Sequence, residues 1–349
     1  MPLLEQTIAQ IGELNQAIMA EISEHQNQLT KPPGSLGVLE ELAIRIGGIT
    51  GEKFPKITQK AVVVMAGDHG VTAEKVSAYP PEVTPQMVMN FVQGGAAINV
   101  LARQAGAKVV VVDVGVAAPV EHEKILSRKI RPGTANLAAG PAMNREEAVK
   151  ALEIGISVAE DLIAEGFQTL ATGEMGIGNT TASSAIMAAF LNIPAREVTG
   201  RGTGINEAAV LHKEQVIDRA LALNQPDPGD PLDVLTKVGG LEIGALAGLI
   251  LGAAAHRKPI VIDGFISTTA ALIAVKLASK SLPYIIASHC SAEMAHRKLL
   301  QYLELKPVLE LEMRLGEGTG AALAFNIIEA ALRVNREMAT FTSAGVSQV

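Results

Sequence analysis

The stretch of sequence that decides the fold is Phe167-Gln168-Thr169-Leu170-Ala171-Thr172-Gly173-Glu174-Met175-Gly176-Ile177-Gly178-Asn179-Thr180-Thr181. It begins with an apolar, strand-like run, its glycines predict a tight turn, and Ala-rich, helix-forming sequence follows. Such an arrangement places backbone N–H groups around an anion, because the turn can approach closely and a helix N-terminus is partly positive. The stretch therefore predicts a strand–turn–helix unit that binds an anion.

A second stretch repeats this order of features. Residues 308–315 form a strand-like run, and Gly316-Glu317-Gly318-Thr319-Gly320 follows directly. A carboxylate in such a turn would oppose a bound phosphate unless it had a task of its own, such as accepting a proton. The alternative is a plain turn with a solvated Glu317, since glycines mark tight turns routinely. Two glycine-bracketed glutamates, Glu174 and Glu317, together indicate an enzyme.

From residue 61 onward, short apolar runs alternate with longer Ala-rich helical segments. The predicted strands are residues 61–65, 108–114, 169–172, 259–262, 284–287 and 308–313. This alternation predicts an α/β fold with a Rossmann-like open parallel sheet and helices on both faces. Hydrophobic residues make up 48% of the chain but aromatic residues only 3%, so small aliphatic side chains must fill the core between the layers.

Helical patterns at both chain ends predict a second, smaller unit. Leu4, Ile8, Ile11 and Leu14 begin an apolar stripe at helical spacing, and residues 324–338 are helical again. Chain ends often lie close in space. We therefore predict a small helical subdomain from residues 1–59 with 324–349, beside an α/β catalytic domain of residues 60–323.

Polar or glycine residues follow every predicted strand. Asp68, Asp113, Glu174, Asp263, Ser288 and Glu317 all lie at or just beyond such ends. In an open parallel sheet, ligands bind outside the carboxyl ends of the strands. The sequence therefore predicts an active site along that edge.

The composition argues against several classes of protein. The net charge is −7 with no basic run, so nucleic acid is not an expected partner. The most apolar stretch, residues 243–255, is too short to span a bilayer, and the first residues do not resemble a signal peptide. One cysteine, Cys290, cannot form an internal disulfide framework or a multi-cysteine metal site. We expect a cytoplasmic protein without membrane association.

Known nucleotide motifs do not match the glycine turns. Residues 173–181 lack the Gly-Lys-Ser/Thr end of a P-loop and the spacing of a dinucleotide fingerprint, so neither ATP nor NAD is indicated. A third cluster, Gly200-Arg201-Gly202-Thr203-Gly204, adds support for an anionic ligand. Asp68 is expected to bond backbone amides rather than a metal. Neighbouring His289 and Cys290 would point to opposite faces of an extended chain, which disfavours a catalytic dyad.

Taken in order, these motifs resemble those of nicotinate-nucleotide–dimethylbenzimidazole phosphoribosyltransferases of the cobalamin lower-ligand pathway. The matching stretches are residues 31–37, 66–71, 94–97, 173–181, 237–240, 263–265, 288–293 and 314–322. They cover nearly the whole chain, and Arg-Leu-Gly-Glu-Gly-Thr-Gly-Ala-Ala at 314–322 is the most specific of them.

The resemblance implies a reaction and a role for each site residue. A benzimidazole nitrogen would attack C1′ of nicotinate mononucleotide with inversion and release nicotinate, which needs no proton to depart. Glu317 would accept the proton of the other ring nitrogen, with Glu174 a second carboxylate at the base pocket. Mutual repulsion would raise the pKa of one of the two. The implied phosphate-binding residues are Gly176, Gly202, Lys213 and Ser291.

Some features remain open at this stage. Tyr79 and Met87 occupy base-pocket positions where other members can carry smaller or more polar residues. The acceptor could therefore be dimethylbenzimidazole, another benzimidazole, adenine or a phenol. The resemblance implies a homodimer, no metal and no cofactor. A kinase would need a Gly-Lys-Ser/Thr loop or Mg²⁺ carboxylates, whereas a non-catalytic nucleotide sensor would have no need of Glu317.

Overall fold

The computed structural model describes residues 2–202 and 204–347. Its strands are β1 (Lys60–Gly67), β2 (Lys108–Gly115), β3 (Ile125–Ser127), β4 (Thr169–Met175), β5 (Ile260–Ile262) and β6 (Ile285–Ala287). Its α-helices are α1 (Leu3–Gln10), α2 (Gln16–Gln28), α3 (Val38–Thr50), α4 (Val83–Gln93), α5 (Ala97–Gln104), α6 (Arg145–Ala164), α7 (Asn179–Leu191), α8 (Glu207–Asn224), α9 (Pro231–Val238), α10 (Leu241–Ala255), α11 (Phe265–Leu277), α12 (Met294–Tyr302), α13 (Thr319–Glu337) and α14 (Phe341–Ala344).

The strands form one sheet in the order β3-β2-β1-β4-β5-β6, and each neighbouring pair is parallel. The order reverses direction between β1 and β4, which is the switch point where open α/β sheets bind their ligands. The predicted α/β class with a parallel sheet is thus confirmed.

Helices cover both faces of the sheet, because successive residues of a strand point to opposite sides. Along β1, Val63 and Met65 pack in the core that also contains α6, α7, α10 and α11, whereas Val62 and Val64 pack in the core that contains α3, α4, α5 and α13. Close approach of the layers depends on small residues: a methyl group added to Gly155 of α6 would overlap the carbonyl oxygen of Ala245 in α10.

The apolar stretch 243–255 forms most of the buried helix α10, as expected from its Ala and Gly content. Within the described part of the chain, no helix combines the length and apolar character needed to cross a membrane.

Two strand predictions are corrected by the structure. Residues 308–313 do not form a strand; they run beside residues 287–292, and Leu309 forms an isolated bridge with His289. The alternation of Leu and Glu imitates a strand, but the backbone bonds of this segment reach mainly the irregular residues after β6, and Glu312 adopts a left-handed φ of 52°. The short strand β3 was missed. Strand β4 also extends past its predicted end, so Glu174 lies in the strand rather than in the turn.

Helices from the two chain ends contact each other. The Gln26 side chain of α2 donates to the Asn335 side chain of α13 at 2.9 Å, and Asn335 donates to the carbonyl oxygen of Lys53 at 3.0 Å. Helix α1 instead packs on α6 and α10, and α13 runs across the predicted boundary at residues 323 and 324. The division into two domains stays a prediction.

Candidate active site

A cavity of about 540 Å³ opens at the carboxyl edge of the sheet, beside the switch point. Most of the site residues predicted from the sequence line it: Tyr79, Met87, Glu174, Gly176, Gly202, Ser291 and Glu317. The remaining one, Lys213, lies directly behind Thr180 and Gly202 of the cavity wall. The structure therefore brings the predicted residues together.

Glu317 lies at the cavity in an unusual backbone conformation. Its φ is 63°, and the flanking Gly316 and Gly318 have φ values of 83° and 93°, so three consecutive residues are left-handed. Only 6% of the Glu317 surface is exposed, and its Oε2 lies 3.5 Å from the backbone nitrogen of Ile98, which donates to it at the start of α5. Burial raises the pKa of Glu317, the Ile98 amide opposes the rise, and the Asp263 carboxylate adds to it. A carboxylate with a raised pKa is a stronger proton acceptor.

Glu174 lies beside Glu317 and is more deeply buried. Its Oε2 accepts a short hydrogen bond from the Asn179 side chain, and its Oε1 accepts one from the backbone N–H of Glu317 at 3.4 Å. Burial raises the pKa of Glu174 to about 8, and the negative charges of Asp263 and Glu242 contribute. Glu174 therefore carries a proton at neutral pH. A raised pKa was expected, but its cause is burial and these two other carboxylates rather than repulsion by Glu317.

The end of β4 and the Glu317 turn fit against each other, which explains why glycines lie beside both glutamates. A methyl group added to Gly173 would overlap the carbonyl oxygen of Glu317. One added to Gly316 would overlap Oε1 of Glu174. The motifs at 173–178 and 316–320, 143 residues apart between the glutamates, thus form one structural unit.

The other end of the cavity is cationic. Lys213 of α8 is 1% exposed, and its Nζ donates to Thr180 Oγ1 at 2.8 Å. Burial lowers the pKa of Lys213 to about 8, against the opposing influence of Glu293. Helix α7 begins at Asn179, so the positive end of a helix lies at the same place. The polar residues around Lys213 in the sequence suggest an exposed side chain. The structure instead buries it at the cavity wall.

The loops around Lys213 are tied to the glutamate turns. Arg314 donates to the carbonyl oxygen of Gly202 at 3.3 Å, linking the third glycine cluster to the segment that precedes Glu317. The Ser291 hydroxyl accepts from the backbone N–H of Glu293 at 3.2 Å. Thr203, within the third glycine cluster, lies outside the described residues.

Tyr79 and Met87, together with Met175 and Ile177, form an apolar part of the cavity lining. Tyr79 is 54% exposed at the rim, and Met87 belongs to α4. A second cavity, of about 760 Å³, adjoins the first and shares Glu293 and Arg314 with it. The buried carboxylates lie in the smaller cavity, which is therefore the candidate site.

Three residues at this edge, Asp263, His69 and Glu242, have no role assigned from the sequence but form buried contacts in the structure. Asp263 accepts from backbone N–H groups of the Glu317 turn, and His69 forms a fully buried pair with Glu242, Nε2 to Oε1, at 2.7 Å. The positions of Asp263 and His69 after β5 and β1 were visible in the sequence, but their partners were not. Asp68 accepts from the backbone N–H of Ala117 at 2.7 Å, as expected.

Neither a metal site nor a cysteine dyad appears among the described residues of this edge. Across residues 2–202 and 204–347, no group of three or more His, Cys, Asp or Glu residues could hold a metal ion. Cys290 is buried with its sulfur 3.8 Å from the carbonyl oxygen of Ser291, whereas the Nδ1 atom of His289 lies 3.0 Å from the Ser288 hydroxyl.

Comparisons with known proteins agree with this architecture. A family model described as phosphoribosyltransferase matches residues 11–346. Nicotinate-nucleotide–dimethylbenzimidazole phosphoribosyltransferase of Chloroflexus aggregans is 58% identical over 349 residues, covering 100% of this chain and 99% of the relative. The protein of the same name from Desulforamulus reducens is 56% identical over 350 residues, with 100% of both chains covered. The crystal structure of CobT from Thermus thermophilus superposes with a TM-score of 0.92 at 50% identity, covering 95% of this chain and 100% of that one. The chain therefore belongs to this phosphoribosyltransferase family and is an enzyme of it.

Proposed function

We propose that this enzyme transfers the 5-phosphoribosyl group of nicotinate mononucleotide to 5,6-dimethylbenzimidazole in the synthesis of the cobalamin nucleotide loop. The transfer proceeds with inversion at C1′ and yields α-ribazole 5′-phosphate and nicotinate. The names of its close relatives support this choice of substrates. The observation that carries the proposal is the pair of buried glutamates in one cavity that also has apolar lining residues and a buried lysine directly behind its wall.

The reaction needs one group that accepts a proton, and the leaving group does not need to be protonated. Nicotinate mononucleotide carries a positive pyridinium on C1′, so nicotinate departs as the C–N bond breaks and takes the bonding electrons. One benzimidazole nitrogen forms the new bond to C1′ from the opposite face. The second nitrogen then loses its proton to Glu317, whose raised pKa suits it as general base.

Glu174 differs from Glu317 in its protonation state. With a pKa of about 8, it is neutral at pH 7 and can lie beside Glu317 without repelling the carboxylate. Its Oε1 accepts from the Glu317 N–H, and it lines the cavity where the incoming base is expected. We assign Glu174 to holding the base pocket and Glu317 to accepting the proton.

The phosphate of the nucleotide is assigned to the cationic end. Lys213 supplies the charge, Thr180 and Ser291 supply hydroxyl groups, and the glycines at 176 and 202 let the backbone approach. A bound phosphate would also favour the protonated form of Lys213, whose pKa is lowered by burial in the free enzyme.

The acceptor base is assigned to the apolar wall with Tyr79, Met87 and Met175. Dimethylbenzimidazole fits an apolar surface of this kind, and other benzimidazoles, adenine or a phenol remain alternatives. Equimolar competition among these acceptors, read by mass spectrometry of the products, ranks them directly.

The test of the reaction is the release of nicotinate from nicotinate mononucleotide in the presence of dimethylbenzimidazole. We expect stoichiometric formation of nicotinate and a nucleotide whose C1′ is α by NMR. A protein that binds the nucleotide without releasing nicotinate would instead be a sensor. The homodimer and the cytoplasmic location stay predictions, and light scattering on the purified protein tests the first.

A further inference from the structure

Asp263 directly follows β5, next to the cavity-lining Gly264, and has no role in the reaction as proposed. Its carboxylate is 1% exposed and belongs to none of the surfaces assigned to the base or the phosphate. A buried carboxylate requires several hydrogen bonds to offset the loss of its hydration. The hydrogen-bond partners of the Asp263 carboxylate therefore indicate its role.

The hydrogen-bond partners of this carboxylate are the first backbone N–H groups of α13, and the His289 imidazole lies beside it with Nδ1 3.8 Å from Oδ1. Oδ2 accepts from Gly318 at 3.1 Å, and Oδ1 accepts from Gly320 at 2.8 Å and from Ala321 at 3.1 Å. The first N–H groups of a helix have no partner within the helix and are usually capped by the side chain of the residue before it. That residue here is Gly318, which has no side chain. Asp263, 55 residues earlier in the sequence, takes its place.

The residue that precedes this capped helix start is the general base. Glu317 has a φ of 63°, and a non-glycine residue keeps a left-handed conformation only where its surroundings hold it. Two other groups contact Glu317 by one long hydrogen bond each: its backbone N–H donates to Glu174 Oε1 at 3.4 Å, and its side-chain Oε2 accepts from the Ile98 N–H at 3.5 Å. The bond from the Gly318 N–H to Asp263 holds the peptide that follows Glu317, and the bonds from Gly320 and Ala321 hold the first turn of α13 to the same carboxylate.

We infer that Asp263 is a positioning residue, whose carboxylate replaces the missing cap of α13 and so holds Glu317 in the conformation that keeps its carboxylate at the acceptor base. This inference rests on the proposed role of Glu317. Asp263 has a second effect: burial raises the pKa of both Glu317 and Glu174, and the negative charge of Asp263 adds to that rise. One side chain thus holds the proton acceptor in place and adds to the effect of burial on its pKa.

The matched pair of variants is Asp263→Asn and Asp113→Asn. Asp113 at the end of β2 is also 1% exposed and accepts from the backbone N–H of Val116 at 2.9 Å, but it does not line the cavity. Asparagine keeps the size of either side chain but offers one acceptor oxygen, so in Asp263→Asn an amide N–H must face a backbone N–H. Both variants should lower Tm, because each weakens a buried hydrogen-bond network.

The kinetic constants distinguish a positioning role of Asp263 from a role in stability alone. We expect Asp263→Asn to lower kcat about 100-fold or more, since displacement of a catalytic group by about 1 Å has effects of that order. Its KM for nicotinate mononucleotide should stay within about 3-fold of the wild type, because the phosphate end is untouched. Asp113→Asn should keep kcat within about 3-fold. A folded Asp263→Asn protein whose kcat matches that of Asp113→Asn would overturn the inference.

Hydrogen exchange of the wild-type protein gives a test that does not depend on a variant folding. The amides of Gly318, Gly320 and Ala321 have no partner within α13, so slow exchange there reports on the bond to Asp263. We expect protection of these three amides in the wild type and its loss in Asp263→Asn. Exchange as fast as in an exposed loop would overturn the inference, whatever the activity. If the wild type released no nicotinate, the proposed function would fail while this exchange result still stood.

Discussion

Replacing Lys213 by Met should weaken nucleotide binding and, at the same time, stabilise the free enzyme. Burial lowers the pKa of Lys213 from 10.5 to about 8, so at pH 7 the folded protein holds a buried ammonium group that the unfolded chain would hydrate. This difference corresponds to a loss of about 3 kcal/mol in the free energy of unfolding. Methionine has a similar length and no charge, so Lys213→Met should recover part of that loss and raise Tm.

The sign of the pH dependence follows from the same values. The cost of the buried ammonium is present in full below pH 8, decreases between pH 8 and 10.5, and is absent above 10.5. The extra stability of Lys213→Met should therefore be largest at neutral pH and vanish near pH 10.5.

The effect on binding has the opposite direction. A hydrogen bond to a charged group contributes about 1.5–3 kcal/mol, which is about 10- to 150-fold in affinity. We expect KM for nicotinate mononucleotide to rise by this factor in Lys213→Met, with kcat changed only a few-fold. In the wild type, KM should begin to rise above about pH 8, where the free enzyme loses the proton of Lys213.

Initial rates of nicotinate release and equilibrium unfolding in urea measure the two effects on the same preparations. Lys150→Met is the control, because Lys150 is an exposed lysine of α6 and its replacement should change neither quantity. An unchanged KM would refute the assignment of Lys213 to the phosphate. A lower free energy of unfolding in Lys213→Met would refute the claim that its charge is costly in the free enzyme.

Three further predictions concern the glutamates and the base pocket. Glu174→Gln should keep kcat within about 10-fold at pH 7, because the wild-type carboxyl is already protonated there. It should also remove a loss of stability that the wild type shows as pH rises from 4.5 to about 8, measured by urea unfolding across that range. Gly173→Ala should lower kcat more than about 100-fold by displacing the Glu317 carbonyl, whereas Gly140→Ala, where a methyl group meets no atom within 4 Å, should behave as the wild type. Met87→Ala should raise KM for dimethylbenzimidazole and leave KM for the nucleotide unchanged; Met89→Ala, on the same helix but outside the cavity, is its control.

The parts of the fold that could be predicted are those with a local signal. The strand–turn–helix order at 167–181 and the periodic apolar runs predicted the parallel sheet and its helices, because side-chain spacing follows local backbone geometry. The prediction of a strand at residues 308–313 was wrong for the same reason: alternating Leu and Glu have the period of a strand, but the segment forms only an isolated bridge, and Glu312 leaves the extended conformation. Ile125–Ser127 is too short to show any period.

The parts of the site that could not be predicted depend on distant partners. The sequence places Glu174 and Glu317 at one carboxyl edge by predicting a strand before each, but the segment before Glu317 is not a strand, and the close fit of the two motifs is visible only in the structure. Lys213 is buried against Thr180, whereas the polar residues beside it in the sequence suggest an exposed side chain. The capping of α13 by Asp263 joins residues 55 to 58 positions apart, and no spacing rule in a single sequence reveals it.

The most direct measurement of the central claim is the turnover of Glu317→Gln with nicotinate mononucleotide and dimethylbenzimidazole. Glutamine keeps the size of the side chain and an oxygen that can accept from the Ile98 amide, but it cannot take up the proton. Loss of a general base lowers kcat by about 10²- to 10⁴-fold, and we predict that range with an unchanged KM for the nucleotide. Wild-type turnover by Glu317→Gln would contradict the assignment of Glu317 as the proton acceptor.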